Sequence, residues 1–197
     1  IKILKKTKKV DFLYIPKFKD VYSNNKKSNI KITKKDKILC AKFRKGHFEG
    51  VLDVMGRLTN LVNPKKIFMG KKDYQQYFLI KNYLKNKYKA SIIPCKTIRN
   101  KSKMALSSRN NHLDLNGIKK ASFLSKSLIK LKRNLANSKK LKQNLRIQMR
   151  YFEKFLKIKI EYLELRSIKN LKISNTVKGS RLFVAYYIDN VRLIDNF

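Results

Sequence analysis

Between residues 10 and 95, short apolar runs alternate with segments of helical period, and this alternation limits the possible folds more than any other feature of the chain. Residues 10–15 (VDFLYI) form a brief apolar run closed by Pro16, as expected of a buried strand. Residues 17–29 are polar and rich in Ser and Asn, which predicts a surface loop, and residues 29–33 fit a short strand. From Phe48 onward, Val51, Leu52, Met55, Leu58 and Val62 recur at helical spacing until Asn63-Pro64 stops the helix. Residues 67–69 make a strand that ends at Gly70, residues 73–87 are again helical, and residues 90–94 make a further strand. Strand, helix, strand, helix, strand implies parallel pairing through crossover helices, as in a doubly wound α/β sheet.

The texture changes after Arg99. Residues 100–111 are polar and aperiodic, suited to a hinge or loop, and two amphipathic helices follow near residues 117–134 and 139–155. Residues 158–166 alternate as a strand with Ile158, Ile160 and Tyr162 on one face. Residues 181–188 and 191–194 read as strands joined by the two-residue turn Asp189-Asn190. The sequence therefore divides into a first α/β unit, residues 1–98, and a second, α+β unit, residues 99–197.

A net charge of +38 raises the question of nucleic acid. The excess is carried by 40 Lys against 10 Arg, spread along the whole chain, whereas base and phosphate recognition leans on Arg forks. Lys, Asn, Ile, Tyr and Phe share A/T-rich codons, so drift in base composition accounts for the bias, and no specific nucleic-acid partner is expected. A basic nucleic-acid-associated protein is kept as the alternative reading. The longest apolar run, residues 182–188, is far too short to cross a bilayer. Cys40 and Cys95 lie far apart with no ligand set for a metal, and Cys95, after an apolar run and Pro94, is expected to be a small buried hydrophobe. The chain opens on Ile1 and its first residues lack the pattern of a signal peptide, so a cytoplasmic protein with a processed or missing front is expected.

Three segments carry chemistry. Gly70-Lys71-Lys72-Asp73-Tyr74-Gln75-Gln76 stands where a strand ends and a helix begins, at the sheet edge where open α/β folds bind ligands. Lys72 there can meet a phosphate and Gln76 can turn its amide to the same crevice, although Asp73 with Gln76 also reads as an ordinary capping box. Met104-Ala105-Leu106-Ser107-Ser108-Arg109-Asn110 offers hydroxyls and a guanidinium fork that can wrap a triphosphate, or it is a solvated loop before a helix. Arg44-Lys45-Gly46-His47-Phe48-Glu49-Gly50-Val51 feeds the first long helix, with a histidine that has no local triad or metal partner.

Taken in order, GHFEGV, a helix ending LVNP, FMGKKDYQQ, IIPCKTIRN, ALSSRN, EYLELR and RLIDN make the chain resemble the pantothenate synthetase (pantoate–β-alanine ligase) family along nearly its whole length. The resemblance implies the remainder of a Rossmann-like nucleotidyltransferase domain with a smaller C-terminal α+β lid. It implies an ATP-dependent ligase that activates (R)-pantoate as an acyl adenylate, releases pyrophosphate, and passes the acyl group to β-alanine with release of AMP. Carried over by position, Gly70, Lys71, Lys72, Asp73, Ile98, Leu106, Ser107, Ser108 and Arg109 would meet ATP, accompanied by Mg2+. Gln76, His47, Val51 and Met55 would surround pantoate. A homodimer is implied for the complete protein.

There are departures. Lys71 stands where the family usually has Glu, and Ser102-Lys103 where it has Asp-Gly. The family's His-x-Gly-His motif is absent, since the only histidines, His47 and His112, stand far apart. No catalytic residue is therefore expected in this chain, which by itself is expected to make no pantothenate, and an inactive remnant of the ligase is a further alternative.

Overall fold

A computed structural model describes residues 6–22, 29–85, 87–135 and 140–197. The elements run α1 (Phe18–Val21), a 3-10 turn (Lys34–Asp36), α2 (Cys40–Phe43), α3 (His47–Val62), β1 (Lys66–Gly70), a 3-10 turn (Lys71–Asp73), α4 (Tyr74–Lys85) and β2 (Ser91–Cys95). A third 3-10 turn (Ser108–His112), α5 (Leu115–Asn134), α6 (Leu141–Leu156), β3 (Lys159–Ser167), β4 (Ser180–Ile188) and β5 (Val191–Asn196) complete the chain.

The first unit starts and stops where the sequence says it should. Gly46 opens α3 at φ +75°, a conformation that favours glycine. Asn63 closes it at φ +47°, its N–H donating to the Thr59 carbonyl at 2.9 Å, and Pro64 forbids continuation. β1 and β2 pair in parallel from Lys66↔Ser91 to Gly70↔Cys95, with α4 as the crossover. Both strands therefore deliver their carboxyl ends, Gly70 and Cys95, to one edge.

The second sheet is antiparallel in the order β3-β4-β5, and Ile188 pairs with Val191 across the Asp189-Asn190 turn. It separates two cores. One face, with Leu163, Leu165, Leu182, Val184 and Tyr186, packs on Leu124 and Leu128 of α5 and Leu145 and Phe152 of α6. The other, with Tyr162, Phe183 and Ala185, shares a core with Phe48, Leu52, Tyr77, Ile80 and Leu84 of the first unit. The α5 helix is capped by Asp114, whose carboxylate accepts the Gly117 N–H at 2.6 Å. Losing this cap in Asp114→Ala is expected to cost about 1 kcal/mol, read as a lower urea midpoint at unchanged slope.

Several expectations fail. Residues 10–15 form no strand: Phe12 is 93% exposed and Ile15 61%. An apolar run becomes a strand only where a sheet edge accepts its backbone, and the parallel sheet has two strands among the described residues. Residues 29–33 likewise belong to no strand. The expected loop at 17–29 contains the short helix α1, and residues 23–28 lie outside the described residues, as does residue 139 at the expected start of α6. Cys95 is exposed because it ends a strand of that two-stranded sheet, whereas Cys40 is buried. In β3 a bulge between Ile160 and Tyr162 reverses the alternation, so Ile158 and Ile160 enter one core and Tyr162 the other.

Candidate functional site

The turn after β1 is the centre of the site. Gly70 has ordinary extended torsions and open space where a Cβ would stand, so the backbone does not require glycine; the space beside it is free for a ligand. Lys71–Asp73 form a 3-10 turn that runs directly into α4, so Asp73 lies inside a helical turn and not at an extended cap position before the helix. Lys72 is the sheltered member, 19% exposed against 49% for Asp73, with Nζ 4.0 Å from the Asp73 carboxylate.

Distant residues fix this turn. Asn196, 1% exposed at the end of β5, donates from Nδ2 to the carbonyls of Lys71 (2.9 Å) and Lys72 (2.7 Å). Its own N–H donates to Asp195 at 2.7 Å, and Asp195 accepts a bidentate pair from Arg99 at 2.6 and 2.9 Å. Sequence reasoning quoted RLIDN without giving Asp195 or Asn196 a role.

On one side of Lys72 lies a cleft lined by Arg44, His47, Phe48, Asp73, Gln76 and Tyr162, among others. Neighbouring glutamines divide the work by helical rotation. Both border the cleft, but Gln75 is buried and spends its amide on the carbonyls of Asp36 (3.2 Å) and Ile38 (2.8 Å), whereas Gln76 is only half-buried. Val51 and Met55, one and two turns beyond His47 on α3, pack partly buried against the first core and lie outside this lining. Burial first, then Arg44 and Arg109, lower the pKa of His47 below its ordinary 6.5, against a smaller opposing pull from Asp73. Its imidazole is therefore neutral at pH 7. An NMR titration of this ring is expected to show a midpoint below that of a free histidine, moving upward in Arg109→Ala; a midpoint at or above 6.5 would contradict the placement of the two guanidiniums.

On the other side of Lys72 is a second cleft, with Met104, Ala105, Ser107, Arg109, Asn110 and Leu193 in its walls. Ser107 accepts the Arg109 N–H at 3.3 Å, and Arg109 Nη1 donates to the Arg192 carbonyl at 3.2 Å. An isolated antiparallel bridge, Arg99↔Ala105, with the Leu106 N–H donating to the Ile98 carbonyl at 2.9 Å, sets Ile98 and Leu106 side by side. They are 66% and 53% exposed, an apolar pair at the sheet edge. Ser108 is exposed within its 3-10 turn, and Lys71 faces neither cleft. At about 30 and 10 Å³ both clefts are far smaller than a nucleotide.

The model of the family described as pantoate-beta-alanine ligase matches residues 1–197. The chain belongs to the pantoate–β-alanine ligase family. It is 34% identical over 193 residues to the pantothenate synthetase of Sulfurihydrogenibium sp. (strain YO3AOP1), covering 95% of this chain and 68% of that one. To the pantothenate synthetase of Leptospira interrogans it is 36% identical over 198 residues, covering 96% and 68%. The crystal structure of pantothenate synthetase from Thermus thermophilus superposes with a TM-score of 0.84 at 28% identity, over 100% of this chain and 72% of that chain. Pantoate-beta-alanine ligase from Francisella tularensis, complexed with beta-gamma ATP and beta-alanine, gives 0.76 at 33% identity, over 100% and 67%. The parallel β1–β2 edge and the separate antiparallel sheet are thus parts of the pantoate–β-alanine ligase fold. No described helix is long and apolar enough to cross a membrane.

Proposed function

We propose that this chain carries the ATP- and pantoate-binding side of an enzyme that joins (R)-pantoate to β-alanine through a pantoyl adenylate. The observation that carries this reading is Lys72, which alone among the described basic residues lines both clefts: one with His47 and Gln76, the other with Ser107 and Arg109. An acid and a triphosphate laid in those two clefts would meet at its ammonium. Catalysis of that kind is positioning and charge stabilisation at the α-phosphate, and it needs a cation fixed where negative charge grows.

In this reading Gln76 orients pantoate and neutral His47 borders it without adding charge beside Arg44 and Arg109. Ile98, Leu106 and the open space at Gly70 receive the adenine, and Ser107, Ser108 and Arg109 close on the phosphates. Asp73 is the exposed carboxylate at the turn and fits a magnesium ion brought in by the triphosphate, since Mg2+ is usually held by one or two carboxylates and phosphate oxygens. The division at residues 98 and 99, a homodimer and a cytoplasmic location are further parts of the proposal and rest on the family resemblance. Isothermal titration of the chain with a non-hydrolysable ATP analogue tests it: saturable binding that Lys72→Ala weakens at least tenfold is expected, about the worth of one charge-assisted contact. Binding unchanged by that substitution would remove Lys72 from the site.

A further inference from the structure

A third cavity, of about 550 Å³, lies behind the Lys71–Asp73 turn and is far larger than either cleft beside Lys72. Its walls come from the segment after β2, from α5 and from the ends of β4 and β5. Six cationic side chains line it, Lys71, Lys96, Arg99, Lys132, Arg133 and Arg181, and no acidic one among the described residues. General lysine enrichment does not account for this, because three of the chain's ten arginines are gathered here. Arg99 is matched by Asp195 behind it, Lys132 donates to the Phe197 main-chain oxygen at 2.9 Å, and Arg181 donates to the Asn196 side-chain amide at 2.5 Å. Burial and the mutual repulsion of Lys132 and Arg181 disfavour the charged form of Lys132.

We propose that this cavity binds an oligophosphate anion at a site separate from the two clefts beside Lys72. Guanidinium forks and ammonium groups lining one cavity match the multiple oxygens of such an anion. The cavity also has a mechanical connection to the turn. Arg181 donates to Asn196, and Asn196 holds the Lys71 and Lys72 carbonyls, so an anion that draws Arg181 inward acts on the residue that fixes Lys72. The significance of that connection for ligation rests on the function proposed above; binding itself does not.

Titration of the chain with inorganic pyrophosphate tests the site, with AMP and a non-hydrolysable ATP analogue as parallel arms. The double variant Lys96→Gln/Arg133→Gln removes two exposed cations from the rim. It is expected to weaken pyrophosphate binding about tenfold or more, as the loss of two charge-assisted contacts predicts. Lys119→Gln/Lys126→Gln, on exposed positions of the same helix outside the cavity, makes the same change in net charge and is expected to alter it less than about twofold. In Lys72→Ala and Arg109→Ala, pyrophosphate held in the clefts is expected to be lost while a saturable site that responds to Lys96→Gln/Arg133→Gln remains. If the ATP analogue but not pyrophosphate is lost on Lys96→Gln/Arg133→Gln, the cavity receives a nucleotide tail and not a free oligophosphate, and the separate site is wrong. Absence of saturable binding, equal loss in both double variants, or loss only in Lys72→Ala and Arg109→Ala would each overturn the proposal.

Discussion

Lys72→Ala and Arg109→Ala are each expected to slow adenylation of pantoate by about 10²–10³, measured by single turnover in the protein as its gene encodes it, as for loss of one preorganised charge-stabilising contact. The two should differ in degree for a structural reason. Lys72 stands on a turn whose carbonyls are already held by Asn196, so its ammonium reaches the phosphates with little reorganisation. Arg109 is exposed and its guanidinium is engaged with the Arg192 carbonyl, a bond it must exchange before it can serve a phosphate. Part of its contribution is spent in that exchange, which places Arg109→Ala at the smaller end of the range. Arg109→Lys should recover little, because an ammonium cannot reproduce a planar fork. Attack of β-alanine on a preformed adenylate, with the pyrophosphate already gone, should be much less affected by either change. Removing an interaction made chiefly in the transition state lowers the rate and not merely the affinity. Adenylation at the unmodified rate in both variants would show that the convergence on Lys72 is not the reacting centre.

What the sequence revealed and what it concealed divides by the range of the interactions. Caps, breakers and helical periodicity are local, so α3, α4, α5 and α6 could be placed from residues such as Asn63-Pro64, and the parallel pairing of β1 and β2 followed from their order. The three candidate segments could be singled out for the same reason: Gly, Ser and Arg collect at loops that follow strands. Burial of a strand is not local. Residues 10–15 have the composition of a core strand yet lie exposed, since composition cannot supply the neighbouring strand. Nor could alternation in β3 reveal the bulge that sends Tyr162 to the opposite core, where its hydroxyl lies 3.1 Å from Cys40 Sγ. The support of the site was hidden most completely. Asn196 is more than a hundred residues from the turn it holds, and nothing in an Asp-Asn pair at the end of a strand says which carbonyls it will meet. Lys71 shows the complementary case. Its neighbours placed it with ATP, while the turn directs its side chain into the basic cavity behind.

Asp195→Ala is expected to destabilise the fold by about 3–5 kcal/mol, the cost of stripping one partner from a buried ion pair. Asp195 is 5% exposed and Arg99 19%, so the pair is not the solvated kind whose loss is scarcely measurable. Once the carboxylate is gone, Arg99 keeps the carbonyls of Lys103 (2.9 Å) and Asn196 (3.1 Å) and the face of Phe197, but no opposite charge. The Asn196 N–H loses its acceptor at the same time, and Asn196 anchors the Lys72 turn. Against a total stability of roughly 5–15 kcal/mol for a domain, such a loss is a large fraction of what keeps the fold. Urea is the proper denaturant, because guanidinium chloride would screen the charges under test. A double variant, Arg99→Met with Asp195→Ala, separates pairing from packing: it should be more stable than Asp195→Ala alone, since the uncompensated guanidinium is removed with its partner. If Asp195→Ala shifts stability by less than about 1 kcal/mol, the pair behaves as a surface ion pair and the rigidity assigned to the Lys72 turn loses its foundation.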